Sequence, residues 1–267
     1  MSLFSFYLIY LLALLPAVFI AYYIYQKDLY PEDRKEVVVT FLLGSSIVMF
    51  LHLLIPLVES FSYFFYSDVA RSAYFSFFRA ATLEEVMKFL VLYLYSYKLS
   101  NFSEPMDAVV FSTAASLGFA AVENIDYVMN AIDDYTAFNL ALMRALSAVP
   151  LHAFCGVVMG IFFGKAIFSP KNNKHYLFLS LAAPIFIHGL YNFMLSIGVL
   201  FLVYALLIFL FVKLTKIIDT LQLEQTKLSS DGLEHVYVPE TNLITENIIK
   251  ISVVTILGCI FLDVNFT

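Results

Sequence analysis

The chain has 267 residues, of which 61% are hydrophobic and only 13% charged, and its mean hydropathy is +0.86. A soluble domain would carry about 25% charged residues, so a water-soluble globular fold is excluded and the composition describes an all-α polytopic bundle of transmembrane helices with no sizeable soluble module. The net charge of −6 is small and dispersed, which argues against nucleic-acid binding; Cys155 and Cys259 stand in separate apolar segments without ligand spacing and read as small buried hydrophobes.

The first apolar run, Leu3–Tyr25, has no basic residue before it and no small-residue cleavage site, and Lys27, Arg34 and Lys35 come after it. It reads as a retained first helix rather than a removed leader. Further runs cover 37–58, 73–97, 106–129, a long 137–168, 177–197, 199–214 and a weaker 248–262. Each of the first seven runs, Leu3–Tyr25 included, is read as a crossing of roughly 30 Å of hydrocarbon at about 1.5 Å per residue, some only just long enough. Gly198 breaks a charge-free stretch that is too long for one crossing. About eight spans are expected, with the last bounded by Lys250 and Asp263.

The basic residues fall in alternate loops, at Lys27, Arg34, Lys35, Lys98, Lys165, Lys171, Lys174, Lys213, Lys216 and Lys227, while the opposite loops hold only Arg71. Positive charge stays in the cytoplasm, so the basic loops are expected there and the N-terminus outside. Residues 1–216 form the helical membrane domain. Residues 217–247 read as a polar cytoplasmic linker opening on a short interfacial helix, and 248–267 as a last helix and tail. No internal repeat is visible, which disfavours an inverted-repeat transporter.

The third span carries Glu84, Glu85 and Lys88. A charge at the bilayer centre costs about 2.5–3.5 kcal/mol even on a lenient scale, so such residues mark functional cavities. Glu84 and Lys88 have the i,i+4 spacing of a helix ion pair. Glu85 is turned about 100° away and can meet another partner. Adjacent carboxylates in low dielectric do not both ionise cheaply, which is one way to obtain a general base near neutral pH. The plainer reading is an ion pair that locks the helix.

In the fourth span, small residues from Gly118 to Ala121 precede Glu123 and Asn124, so a neighbouring helix can approach closely and Glu123 points into the contact. Asp126 reads as an interfacial charge. The fifth has Pro150, His152 and a stripe of Gly156, Gly160 and Gly164. The glycines allow close packing, and Pro150 is expected to loosen the helix beside the histidine. The sixth has His188 and Asn192 on one face, with Pro184 a turn earlier. Asparagine donates to a developing oxyanion, and histidine acts as base, acid or metal ligand. His52 reads as a hydrogen-bonded helix contact, His175 and His235 as solvated loop residues, and Arg79 and Arg144 as snorkelling side chains near the outer boundary.

Together these side chains suit activation of water and attack on a carbonyl. A metal-free scheme uses Glu84 or Glu85 as base with histidine and Asn192 as proton and oxyanion partners. A metal scheme uses His152, His188 and Glu123 as ligands to zinc or another divalent ion, with another glutamate as base. Neither the H-E-x-x-H pattern nor a serine-nucleophile motif is present.

The run of motifs, Glu84-Glu85-x-x-Lys88, Phe119-x-x-x-Glu123-Asn124, His152-x-x-x-Gly156 and His188-x-x-x-Asn192, resembles that of the PrsW-type intramembrane proteases. These are relatives of the CAAX-prenyl endopeptidase and bacteriocin-processing superfamily. The resemblance spans residues 78–193, and the Phe-x-x-x-Glu form points to the PrsW branch. It implies a cavity within the membrane where peptide bonds of a single-pass, membrane-anchored protein are cut, the best-known case being site-one cleavage of an anti-sigma factor. On that reading Glu84 and Glu85 activate water and Lys88 and Glu123 tune them. His152, His188 and Asn192 stabilise the oxyanion or hold a metal. Membrane lipids are the other expected partner. A proton-coupled transporter and a catalytically silent scaffold are the competing classes; the mixture of motifs and the intact polar set argue against them.

Overall fold

The computed structural model describes residues 3–169 and 173–230. Over these residues the chain folds as α1 (Leu3–Tyr25), α2 (Arg34–Glu59), α3 (Asp68–Tyr74), α4 (Leu83–Leu94), α5 (Pro105–Met129), α6 (Asp134–Leu146), α7 (Ala148–Phe168), α8 (Asn173–Ser196) and α9 (Leu200–Ser230). Hydrocarbon offers no water to satisfy backbone groups, so each segment closes its own hydrogen bonds as helix. Where a helix leaves a polar loop, a side chain accepts from an otherwise unpaired N–H: Asp33 from Lys35 N at 2.9 Å, Ser67 from Ala70 N at 3.1 Å, Asp133 from Thr136 N at 2.7 Å.

α5 is the axis of the bundle. Its residues from Met106 to Ala121 are buried without interruption, enclosed by α1, α2, α4 and α7. The enclosure depends on small residues. A Cβ on Gly160 would stand 2.5 Å from the Ala108 carbonyl oxygen and the Val109 Cα, closer than any side chain tolerates. Ser112 and Ser116 of α5 then donate to the Gly156 and His152 carbonyls of α7, each at 2.7 Å, which sets the register of the two helices. The outward faces of α1, α2 and α9 show Phe19, Leu42, Leu53, Phe201 and Ile208, the surface a lipid-facing helix presents.

Six helical stretches of the described residues are long and apolar enough to cross a membrane: Tyr7–Tyr25, Arg34–Phe64, Pro105–Met129, Asp134–Phe168, Asn173–Ser196 and Leu200–Thr226. The expected third span is not among them. It is a broken helix in which α3 and α4 are joined by a π-helical segment, Phe75–Thr82, and it carries Arg79, Glu84, Glu85 and Lys88. The expected last span at 248–262, with Cys259 and His235, lies outside the described residues.

Two expectations about the fifth span change. The long run is two helices that part at Ser147, and Pro150 sits in the first turn of α7. There its missing N–H has no partner to lose, so it starts the helix rather than loosening it. The segment expected to be linker from residue 217 is helical as far as Ser230, as the end of α9. Gly198 makes the turn between α8 and α9 with φ of +75°, a conformation glycine adopts freely.

Candidate active site

The π-helical segment delivers the acidic pair. Its wider turn is closed by Thr82, whose hydroxyl donates to the Phe77 carbonyl five residues back at 2.7 Å, and α4 begins at the next residue. Such segments recur at functional sites because they rotate the next helical turns out of α-helical register. Here Glu84, Glu85 and Lys88 are all buried in the first turns of α4.

Lys88 is the hub. Its Nζ lies 2.7 Å from Glu85 Oε1, 3.0 Å from His152 Nδ1 and 3.6 Å from Glu84 Oε2, and 4.3 Å over the Phe119 ring. His188 of α8 approaches from the other side, with Nδ1 at 2.9 Å from Glu85 Oε1 and Nε2 at 3.8 Å from Glu84 Oε2. The two imidazoles meet edge to face with centroids 5.0 Å apart. Glu85 and Lys88 are completely excluded from solvent. A buried ion pair needs further hydrogen bonds to persist; here His152 adds one at Lys88 and His188 one at Glu85 Oε1.

The network continues outward. His152 Nε2 is 3.1 Å from Glu123 Oε2, and Arg144 at the end of α6 donates from Nη2 to the same oxygen at 2.5 Å. Arg144 Nε donates to Asn124 Oδ1 at 2.7 Å, the Asn124 amide donates to the Ala13 carbonyl of α1 at 3.1 Å, and the guanidinium lies 3.9 Å over Tyr127.

The structure therefore brings Glu84, Glu85, Lys88, Glu123, His152 and His188 into one connected cluster. Asn192 is half-buried one turn beyond His188 and, among the described residues, has no hydrogen bond to the cluster. Arg144 is not a snorkelling boundary residue. It is the cation of Glu123, a role hidden in the sequence because the long apolar run conceals the break between α6 and α7. The available signal was an isolated arginine in an apolar run opposite an isolated glutamate. Arg79 does lie apart, on Glu59 at 2.8 Å, and His52 Nδ1 is on its own helix at the Val48 carbonyl, 2.8 Å. His175 is exposed in the first turn of α8, not in a loop. Cys155 is a free, buried thiol.

Glu84, Glu85, His152 and His188 each offer a ligand atom within 4.8 Å of the others. Glu123, expected among the ligands, is outside that group, its Oε2 already held by Arg144 and His152. Glu84 Oε2 and Glu85 Oε2 are buried with no hydrogen-bond partner. An unsatisfied buried group costs about 1–3 kcal/mol, more when charged, and imidazole with carboxylate is a donor set of zinc and related ions. These residues fit a divalent metal.

Paired carboxylates, two imidazoles and a lysine buried together in a many-helix membrane protein are groups able to move protons and polarise a bond away from bulk water. The model of the family described as "PrsW family intramembrane metalloprotease" matches residues 32–215, and the chain belongs to this family. It is 36% identical over 181 residues to Protease PrsW of Geobacillus kaustophilus, covering 67% of this chain and 76% of that one. It is 34% identical over 184 residues to Protease PrsW of Bacillus subtilis, covering 68% and 79%. It is 29% identical over 207 residues to the Clostridioides difficile protein of that name, covering 76% and 86%. No solved structure matches. The chain is thus a multi-pass intramembrane protease, a hydrolase.

Proposed function

We propose that this protease hydrolyses a peptide bond of a single-pass, membrane-anchored protein, in the manner of site-one cleavage of an anti-sigma factor. The observation that supports the chemistry is the convergence of Glu84, Glu85, His152 and His188 around Lys88, buried among α4, α7 and α8. The basic loops are taken to face the cytoplasm and the N-terminus the outside.

Glu84 is the base. Its Oε2 is held by no hydrogen bond and its residue keeps a small exposure of 8%, whereas Glu85 Oε1 is engaged by Lys88 and His188. Glu84 takes a proton from water as the water oxygen bonds to the scissile carbonyl carbon. Glu85 fixes His188 by accepting from Nδ1, so Nε2 carries the lone pair and faces Glu84. The proton then reaches the leaving amine through His188 as the C–N bond breaks. Asn192, whose amide is uncommitted among the described residues, is the donor available to the oxyanion. In place of this metal-free route, Glu84, Glu85, His152 and His188 are the residues that would hold a divalent metal. Such an ion would polarise the carbonyl and acidify water.

The test is cleavage of a panel of single-pass membrane proteins in liposomes by wild type, Glu84→Gln and His188→Ala, each with and without a strong chelator. The expected result is loss of cleavage in both variants. Cleavage that survives in both would overturn the assignment, and chelator sensitivity of the wild type reads out the metal.

A further inference from the structure

A second buried polar cluster lies at the opposite end of the bundle from the α6–α7 corner, outside the protease site. Asp28 in the α1–α2 loop, Glu104 at the N-cap of α5 and Asp107 in its first turn each place a carboxylate oxygen within 4.8 Å of the others. All three are more than nine-tenths buried, and Glu32 stands beside them as a fourth buried carboxyl. No lysine or arginine among the described residues pairs with any of the four.

Local structure engages only some of these oxygens. Asp107 Oδ2 accepts from the Ser103 and Glu104 N–H groups at 2.7 and 2.8 Å, as the capping box of α5 requires. Asp28 Oδ1 accepts from Tyr30 N at 2.9 Å and from the Gln225 amide of α9 at 2.7 Å. That amide also donates to Glu104 Oε1 at 2.5 Å. Of the remaining oxygens, Asp28 Oδ2 and Asp107 Oδ1 are buried and accept from no N–H or hydroxyl group, and the Glu32 carboxyl lies within hydrogen-bond reach of the Asp107 carboxyl. Carboxylates at such separations coexist away from water only with a cation between them or a proton shared among them.

We propose that Asp28, Glu104 and Asp107 form a binding site for a hard divalent cation of the calcium or manganese type. The donors are all oxygen, which suits such an ion and not the softer, imidazole-bound metals. The bound cation would tie the α1–α2 loop to the start of α5. Through Gln225, and through Gln222 on the Lys27 carbonyl at 2.7 Å, it would tie the polar end of α9 to the same point. Its role is to fasten that end of the bundle, and it does not depend on the proposed peptide chemistry.

Terbium, a hard-ion probe, tests the proposal on the full-length protein in detergent. Tyr25 and Tyr30 flank the site, and the chain has no tryptophan, so excitation at tyrosine reports binding nearby. The expected result is saturable emission that calcium displaces, with affinity at least tenfold weaker in Asp28→Asn and in Glu104→Gln. Calcium should also raise the melting temperature of wild type and not of these variants, which keeps the test open if one of them folds poorly. Emission that calcium fails to displace, or equal affinity in wild type and a folded variant, would overturn the proposal and leave the cluster to shared protons.

Discussion

Removing Arg144 tests whether the short helix α6 belongs to the active site. In Arg144→Met the side chain keeps length and apolar bulk but loses its charge and its donors. The wild-type guanidinium bonds Glu123 Oε2 at 2.5 Å and Asn124 at 2.7 Å, with side-chain exposures of only 14% and 17% across the ion pair, so water is a poor substitute. A hydrogen bond to a charged partner contributes about 1.5–3 kcal/mol. If Glu123 must be held so that it can orient His152, that loss lowers the cleavage rate about 10- to 150-fold. The assay is kcat/KM on a cleavable membrane substrate for wild type, Arg144→Met, Glu123→Gln and the double variant. Because the two residues act through one contact, the double variant should be no slower than the slower single one. Arg144→Lys should recover part of the rate, since an ammonium reaches Glu123 but does not also serve Asn124. A wild-type rate in Arg144→Met, or fully additive losses in the double variant, would refute the positioning role.

Glu84→Gln should lower cleavage by about 10²–10⁴-fold with the melting temperature little changed, because the lost group is a base and not a structural anchor; a rate within a few-fold of wild type would remove Glu84 from that role. Glu85→Gln should abolish cleavage and also lower stability, because it leaves the fully buried Lys88 ammonium without its 2.7 Å carboxylate, a change that costs about 3–5 kcal/mol. Equal stability of the two glutamine variants would contradict the division of labour between these neighbours. Gly160→Ala should cost about 1–3 kcal/mol in thermal unfolding, as the new methyl meets the α5 backbone. Gly198→Ala should cost about 1 kcal/mol through its positive φ alone, since nothing lies within 4 Å. A reversal of that order would mean that the α5–α7 contact is not closely packed.

Much of the architecture is legible from the order of the residues. A chain with so few charges has to close its backbone hydrogen bonds within apolar runs, so the bounds of α1 and α5 and the break at Gly198 come from hydropathy and from glycine. Glu84, Glu85, Lys88, Glu123, His152 and His188 stand out for a related reason: an ionisable group in an apolar run is expensive, and only a shared site offsets the cost. Tertiary structure decided how they meet. Local periodicity does not show that a π-helical segment turns the Glu85–Lys88 pair onto His188 and His152 while leaving Glu84 less constrained. Nor does it show that the fifth apolar run turns a corner at Ser147 and carries Arg144 onto Glu123, or that Asp28 and Asp107, 79 positions apart, bury their carboxylates together. Hydropathy records which groups water must leave; which partner replaces the water is set by helix packing between residues far apart in the chain.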